Sequence, residues 1–181
     1  MRHKTIRPLL ILDMDDVLAV SQQFTSYQVK MAFKLGDLEY PELWSNLILP
    51  EARENLRCLH NEFWPQYVIS TSWSTFLSRD EMCEMFRRTE MHFIADNLHK
   101  HWTTPKGTST GRLKEISDWL RLYRGKKQPV LILDDHASGW NLKDSILDRE
   151  KLVVLCNPWV GFVREKLSEA HQALANQMPK D

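Results

Sequence analysis

Leu9-Leu10-Ile11-Leu12-Asp13-Met14-Asp15-Asp16-Val17-Leu18 is the stretch that decides the fold of this chain. An apolar run short enough to be one buried strand ends in three carboxylates within four residues. Asp13 and Asp15 stand two apart, so an extended backbone points them to the same side. Like charges that close repel unless a cation, or a proton shared between them, relieves the repulsion. The arrangement recurs at Val130-Leu131-Ile132-Leu133-Asp134-Asp135. Two apolar strands, each ending in paired acids, imply a carboxylate cage for a hard divalent metal.

Further strand-like runs lie at 67–70, more weakly at 92–95, and at 152–156. Helical patterns fill the gaps. Pro50 suits a first helical position and opens 51–63, with Ala52, Leu56 and Leu59 on one face. Ser78 caps 79–89, where Met82, Met85 and Phe86 point inward, and Ser78-Arg79-Asp80-Glu81 fits a capping box. Thr110 or Gly111 opens a segment with Leu113, Ile116, Trp119 and Leu120 apolar, ending near Gly125, and 162–177 closes the chain as an amphipathic helix. Apolar strands alternating with amphipathic helices predict an α/β domain with a mainly parallel sheet covered on both faces. Its ligand site is expected beyond the carboxyl ends of the strands. Residues 19–49 break the alternation and show no clear strand. They are expected to form at most a small helical cap inserted in a single domain spanning 1–181.

The totals fit that picture. The chain has 181 residues, 43% apolar and 27% charged, as in an ordinary soluble domain. Lys plus Arg (24) equals Asp plus Glu (24), so no global field draws a polyanion, and any nucleic-acid contact must rest on local patches. Three widely spaced cysteines, with no CxxC, fit reduced thiols in a cytoplasmic protein. The basic start, Met1-Arg2-His3-Lys4, precedes an apolar run of about five residues that ends in acids. That run is a core strand rather than a signal peptide, and no membrane partner is expected.

The strand after Gln66 delivers two hydroxyls, Thr71 and Ser72. Before the second acidic pair comes a Gly/Thr/Ser-rich loop, 103–112, carrying Lys106 and Arg112. Carboxylates for a hard metal, a hydroxyl for a phosphate oxygen and a cation for charge are the parts that phosphoryl transfer needs. Other polar residues read more blandly. Lys114 has a helical, surface setting; His136 reads as a satisfied loop histidine; His99 and His101 lack a partner at zinc spacing and read as surface. The seven tryptophans suit core or lid packing, with Trp73 and Trp140, each just beyond a motif strand, placed for substrate contact.

In these motifs the chain resembles the haloacid dehalogenase-like (HAD) superfamily. Asp13-Met14-Asp15-Asp16-Val17, Thr71, Lys106 or Arg112, and Asp134-Asp135 stand in the order of its four motifs. Ile69-Ser70-Thr71-Ser72-Trp73, Glu115-Ile116-Ser117-Asp118-Trp119-Leu120, and the late Leu152-Val153-Val154 and Val160-Gly161-Phe162 are similar to HAD domains of Swiss Army Knife RNA repair proteins. The first two motifs also resemble 5′-deoxyribonucleotidases. The resemblance implies a Rossmann-like HAD fold and a Mg²⁺-dependent phosphatase. Asp13 would be nucleophile and metal ligand. Asp15 would be acid and then base, with its carbonyl on the metal. Thr71, with Ser72 near it, would bind phosphoryl oxygens; Lys106 or Arg112 would neutralise charge; Asp134 or Asp135 would complete the metal shell. The implied substrate is a nucleotide, a small phosphomonoester or a nucleic-acid terminal phosphate, with the oligomeric state left open. One departure stands out: Asp16 occupies a turn position where the superfamily mostly has Gly. Two other classes use similar parts, a phosphoacceptor signalling module and a catalytically degenerate binding domain. The order of hydroxyl and second acidic pair argues against the first, and intact Asp13 and Asp15 against the second.

Overall fold

The computed structural model describes residues 6–20, 24–106 and 111–179. β1 (Leu9–Leu12) is fully buried along its whole length, as an unbroken apolar run requires. It pairs in parallel with β2 (Gln66–Ile69) on one side and β4 (Val130–Asp135) on the other, with Leu12 opposite both Ile69 and Leu133. β3 (Leu98–Thr103) and β5 (Val153–Cys156) complete an all-parallel sheet in the order β3-β2-β1-β4-β5. The strand order reverses between β1 and β4, and doubly wound sheets bind ligands outside the carboxyl ends at that point. Response-regulator domains use the order 2-1-3-4-5 instead, so the topology separates this chain from that signalling class.

The strand period of two divides the core. Leu10 and Leu12 face one apolar cluster, which also holds Leu56, Met82, Phe86 and Phe162. Leu9 and Ile11 face a second, built on Ile116, Trp119, Leu120, Leu142 and Leu147. α3 (Pro50–Phe63) and α4 (Arg79–Arg88) bury the residues that their spacing marks. Residues 24–49 are helical rather than extended, with α1 (Ser26–Leu35) and the short α2 (Leu43–Asn46). Phe24, Val29, Ala32, Leu43 and Leu47 join the cluster of Leu10 and Leu12. The remaining helices are α5 (His92–Ala95), α6 (Gly111–Tyr123), α7 (Ile146–Arg149) and α8 (Arg164–Ala175).

Three expectations need correction. The run 92–95 is the helical turn α5, and the strand follows it at β3. β3 reads Leu-His-Lys-His-Trp-Thr and is a half-exposed edge, so it lacks the apolar run that betrays its neighbours. His99 is buried rather than on the surface, edge-on to Trp119 with ring centroids 5.0 Å apart, and burial lowers its pKa. The last helix starts at Arg164, because Phe162 is locked in the core and donates its amide to the Val17 carbonyl. Thr110, one candidate for opening α6, lies outside the described residues.

The capping box forms as expected and carries an extra charge. The Glu81 amide donates to Ser78 Oγ, the Ser78 amide to Glu81 Oε2 at 2.8 Å, and Lys30 of α1 reaches Glu81 Oε1 at 2.6 Å. The Lys30 hydrogen bond, followed by those from Ser78, lowers the pKa of Glu81. A lowered folded-state pKa means stability that is present above the ordinary carboxyl range and lost as pH falls through the lowered value. Glu81→Ala is therefore expected to cost about 1 kcal/mol of unfolding free energy at pH 7. Urea melts should show that difference shrinking in acid.

Candidate active site

The sheet register brings the two acidic pairs together. With Leu12 opposite Leu133, Asp13 falls beside Asp134, and the Asp13 amide donates to the Leu133 carbonyl at 2.9 Å. Asp13, Asp134 and Asp135 are all buried, and one carboxylate oxygen from each lies within 4.8 Å of the others. Part of this charge is met by the backbone. Asp134 Oδ1 accepts from the Asp135 amide at 2.9 Å, and Asp135 Oδ1 accepts from the amides of Ala137 and Ser138. Both oxygens of Asp13, Oδ2 of Asp134 and Oδ2 of Asp135 have no hydrogen-bond partner. Buried carboxylate oxygens without hydrogen bonds are costly unless cations stand beside them. A converging set of hard oxygen donors fits Mg²⁺.

Arg112, on the first turn of α6, is the cation on this cluster. Its Nη2 lies 3.2 Å from Asp13 Oδ2 and its Nε 2.9 Å from Asp134 Oδ2. These are ion pairs by distance, while Arg112 Nε, Asp13 Oδ2 and Asp134 Oδ2 make no hydrogen bond. Nη1 donates to Ser70 Oγ at 3.3 Å. Burial alone would lower the pKa of Arg112, but Asp13, Asp134 and Glu115 outweigh it and raise it. Lys106 stands behind, 3.2 Å from Glu115 Oε2, its pKa lowered by burial and by Arg112. Of the two candidate cations, Arg112 contacts the acids and Lys106 contacts Glu115. Residues 107–110 of that loop lie outside the described residues.

The carboxyls feel the burial. Asp13 is pushed up to about 6 by burial, against the pull of Arg112. Asp134 is raised well above the carboxylate range by burial and then by Asp13. Asp15 is half-buried, and burial raises its pKa while a hydrogen bond from Trp73 holds it down. Trp73 Nε1 donates to Asp15 Oδ2 at 2.9 Å. Trp73 is itself 1% exposed, so it positions Asp15 and is not open to substrate, correcting the expectation from sequence.

Asp16 has a φ of 55°, the left-handed region where Gly is usual, and Asp tolerates it better than most residues. Its Oδ1 accepts the amide of Trp159 at 2.7 Å, tying the β5 exit loop to the β1 exit loop. Thr71 is fully buried, caps the 3₁₀ turn Ser72–Thr75 and accepts weakly from the Trp73 amide. Ser72 is exposed at the mouth of that turn. His136 is exposed and donates its amide to the Cys156 carbonyl, while Lys114 pairs with Asp118 on the helix surface. Four further residues shape the site. Ser70 and Glu115 hold Arg112, Trp73 holds Asp15, and Gly139 approaches so closely that a Cβ there would stand 2.8 Å from the Asp135 carbonyl. Trp73 was marked by its place just beyond a motif strand, and Glu115 carries a signal in its i+3 spacing from Arg112.

No helix among the described residues is long and apolar enough to cross a membrane. No curated protein and no solved structure matches the chain. The match is to a domain family, over residues 9–167, and that span takes in every strand of the sheet and all of the acids above. Such membership supports hydrolase chemistry of the HAD type in general. Sheet order, strand-end acids and family match agree: the chain belongs to the family of HAD domains in Swiss Army Knife RNA repair proteins.

Proposed function

We propose that this protein is a Mg²⁺-dependent phosphohydrolase that works through an aspartyl-phosphate on Asp13. Its substrate in this reading is a nucleotide, a small phosphomonoester or a nucleic-acid terminal phosphate. The observation that carries it is the buried carboxylate of Asp13, without a hydrogen bond, ion-paired with Arg112 and converging on the Asp134-Asp135 pair. Asp13, Asp134 and Asp135 would hold Mg²⁺, with the Asp15 carbonyl as a further ligand. When bound, the ion would neutralise charge between nucleophile and phosphate and polarise phosphoryl oxygens.

Asp13 contributes a carboxylate oxygen to phosphorus while the bond from phosphorus to the leaving oxygen breaks. Asp15, two residues on, gives that oxygen a proton. Burial raises its pKa, the direction that favours the protonated form. Asp15 then takes a proton from the water that attacks the phosphoryl group, and the bond to Asp13 breaks. Arg112 screens the repulsion between Asp13 and the incoming dianion, and the Thr71 hydroxyl donates to a phosphoryl oxygen. Residues 19–49 act as a small cap in this reading, supported by the Lys30–Glu81 pair that ties α1 to α4. Three free thiols fit a reducing, cytoplasmic setting.

The test is a panel with Mg²⁺: generic phosphomonoesters, nucleoside monophosphates and oligonucleotides phosphorylated at the 3′ or 5′ end, given to wild type and Asp13→Asn. Turnover by wild type and a loss of at least about a thousandfold in the variant are expected. Turnover of nothing, or turnover indifferent to the substitution, would sink the proposal. A gentler effect is expected at Trp73→Phe. Loss of the bond that orients Asp15 should lower kcat about ten- to a hundredfold with little change in KM. Steady-state kinetics on one substrate checks it.

A further inference from the structure

The rim above the buried acids carries two bare indoles. Trp140, on the β4 exit loop, is 71% exposed, and Trp159, on the β5 exit loop, is 64% exposed. The third strongly exposed tryptophan, Trp64, lies at the other end of the sheet under the Arg7 guanidinium, 4.0 Å from its ring. Among the described residues, no ring or cation covers Trp140 or Trp159. Both loops leave the carboxyl end of the sheet, where ligands of such folds bind.

Both are held in place at the backbone. Trp159 sits at φ 66°, a strained conformation for a side chain of its size, and its amide is pinned by Asp16 Oδ1 at 2.7 Å. Two residues on, Gly161 packs so tightly that a Cβ would stand 2.8 Å from Val20 and 3.0 Å from the Val17 carbonyl. Trp140 follows Gly139, whose missing Cβ would stand 3.1 Å from the Asp134 carboxyl and whose amide donates to the Asp135 carbonyl. Each indole is thus anchored within a residue of a contact to the acidic loops. Exposed aromatic faces on anchored backbone beside a phosphate site suit stacking of a flat ring.

We propose that Trp140 and Trp159 form a stacking platform for a nucleobase, and that the substrate is a phosphomonoester carried on a nucleoside. The inference rests on the phosphohydrolase reading of the same site. The depth of the acids selects the ligand. Asp13 is 1% exposed, so a phosphoryl group must descend to it, and a ring joined directly to the ester oxygen would be carried down towards Asp15 and Trp73. An exposed platform is reached by a ring spaced from the ester oxygen, as a base is spaced by a pentose. The balanced charge of the chain favours a short ligand over a long polyanion. A free nucleotide and a phosphorylated oligonucleotide end share this chemistry.

Two measurements test it. In the first, wild type is expected to prefer a nucleoside monophosphate or a phosphorylated dinucleotide over ribose 5-phosphate by about tenfold or more in kcat/KM. That preference should collapse towards unity in Trp140→Ala and Trp159→Ala and survive largely in Trp140→Phe, which keeps a ring face. Mononucleotide and dinucleotide arms separate the two sources. Equal use of ribose 5-phosphate and the nucleotides by wild type, or preference for a phosphotyrosine peptide, would overturn the platform and leave the phosphatase standing. In the second, Asp13→Asn is titrated with nucleoside monophosphate and its indole fluorescence followed. Quenching that halves or more when Trp140→Ala is added supports stacking even if no turnover is found. Quenching unaltered by both tryptophan substitutions would overturn it.

Discussion

Asp15→Asn is expected to split hydrolysis into its halves. With p-nitrophenyl phosphate the leaving oxygen departs as a stable anion and needs no proton, so Asp13 can still be phosphorylated. The water that must follow has lost its base. The variant should release about one equivalent of nitrophenolate per enzyme in a burst, then turn over about a hundred- to ten-thousandfold more slowly than wild type. With a nucleoside monophosphate, whose leaving alkoxide does need the proton, the burst should vanish as well. Rapid-quench kinetics and the mass of the phosphorylated protein read both outcomes. Equal bursts from the two substrates would remove Asp15 from its role as acid.

Arg112→Ala should produce the largest change in stability. The guanidinium is ion-paired with two buried carboxyls, Asp13 and Asp134, and removing one partner of a buried charge cluster typically costs about 3–5 kcal/mol. For a domain of this size that corresponds to roughly 6–20 °C in Tm. Protonation limits the loss, and its sign can be worked out. Burial raises Asp13 to about 6 in the folded state, so the folded protein holds that proton more tightly than the unfolded chain. Such a group contributes stability at low pH that is lost as pH rises through the folded value. Without Arg112 the carboxyls are harder still to ionise, so the gap between variant and wild type should widen from pH 5 to pH 7. Mg²⁺, as a replacement cation, should raise the Tm of the variant more than that of wild type. Scanning calorimetry with Mg²⁺ and with a chelator checks each statement, and a variant as stable as wild type at pH 7 would remove Arg112 from its place as counter-ion.

What could be read from the sequence follows from where each signal lives. β1 and β4 announced themselves because strands buried on both faces must be apolar throughout, and their terminal acids then stand out. α4 was legible to its capping residue, since Ser78 and Glu81 lie three apart and act locally. β3 was hidden because an edge strand with half its residues wet obeys no apolar rule. Between Lys106 and Arg112 the sequence offered no choice, because both sit in one loop. Only the start of α6 at Gly111, which carries Arg112 over the acids, separates them. Asp16 looked like a surplus charge because its partner, the Trp159 amide, is 143 residues away. Trp73 was legible as a site residue but not in its role, since direction of an indole N–H is set by packing.

The central place of β1 has a consequence for how the chain is made. Synthesis delivers β1 first and β2 and β3 soon after, but the other flank of β1 is filled only by Val130–Asp135. Until that segment leaves the ribosome, a growing chain carries one open, wholly apolar β-edge, the kind of template that pairs with other chains. The same late arrival joins Asp134 to Asp13. Premature termination before residue 130 therefore yields a product with an open apolar edge and without Asp134 and Asp135.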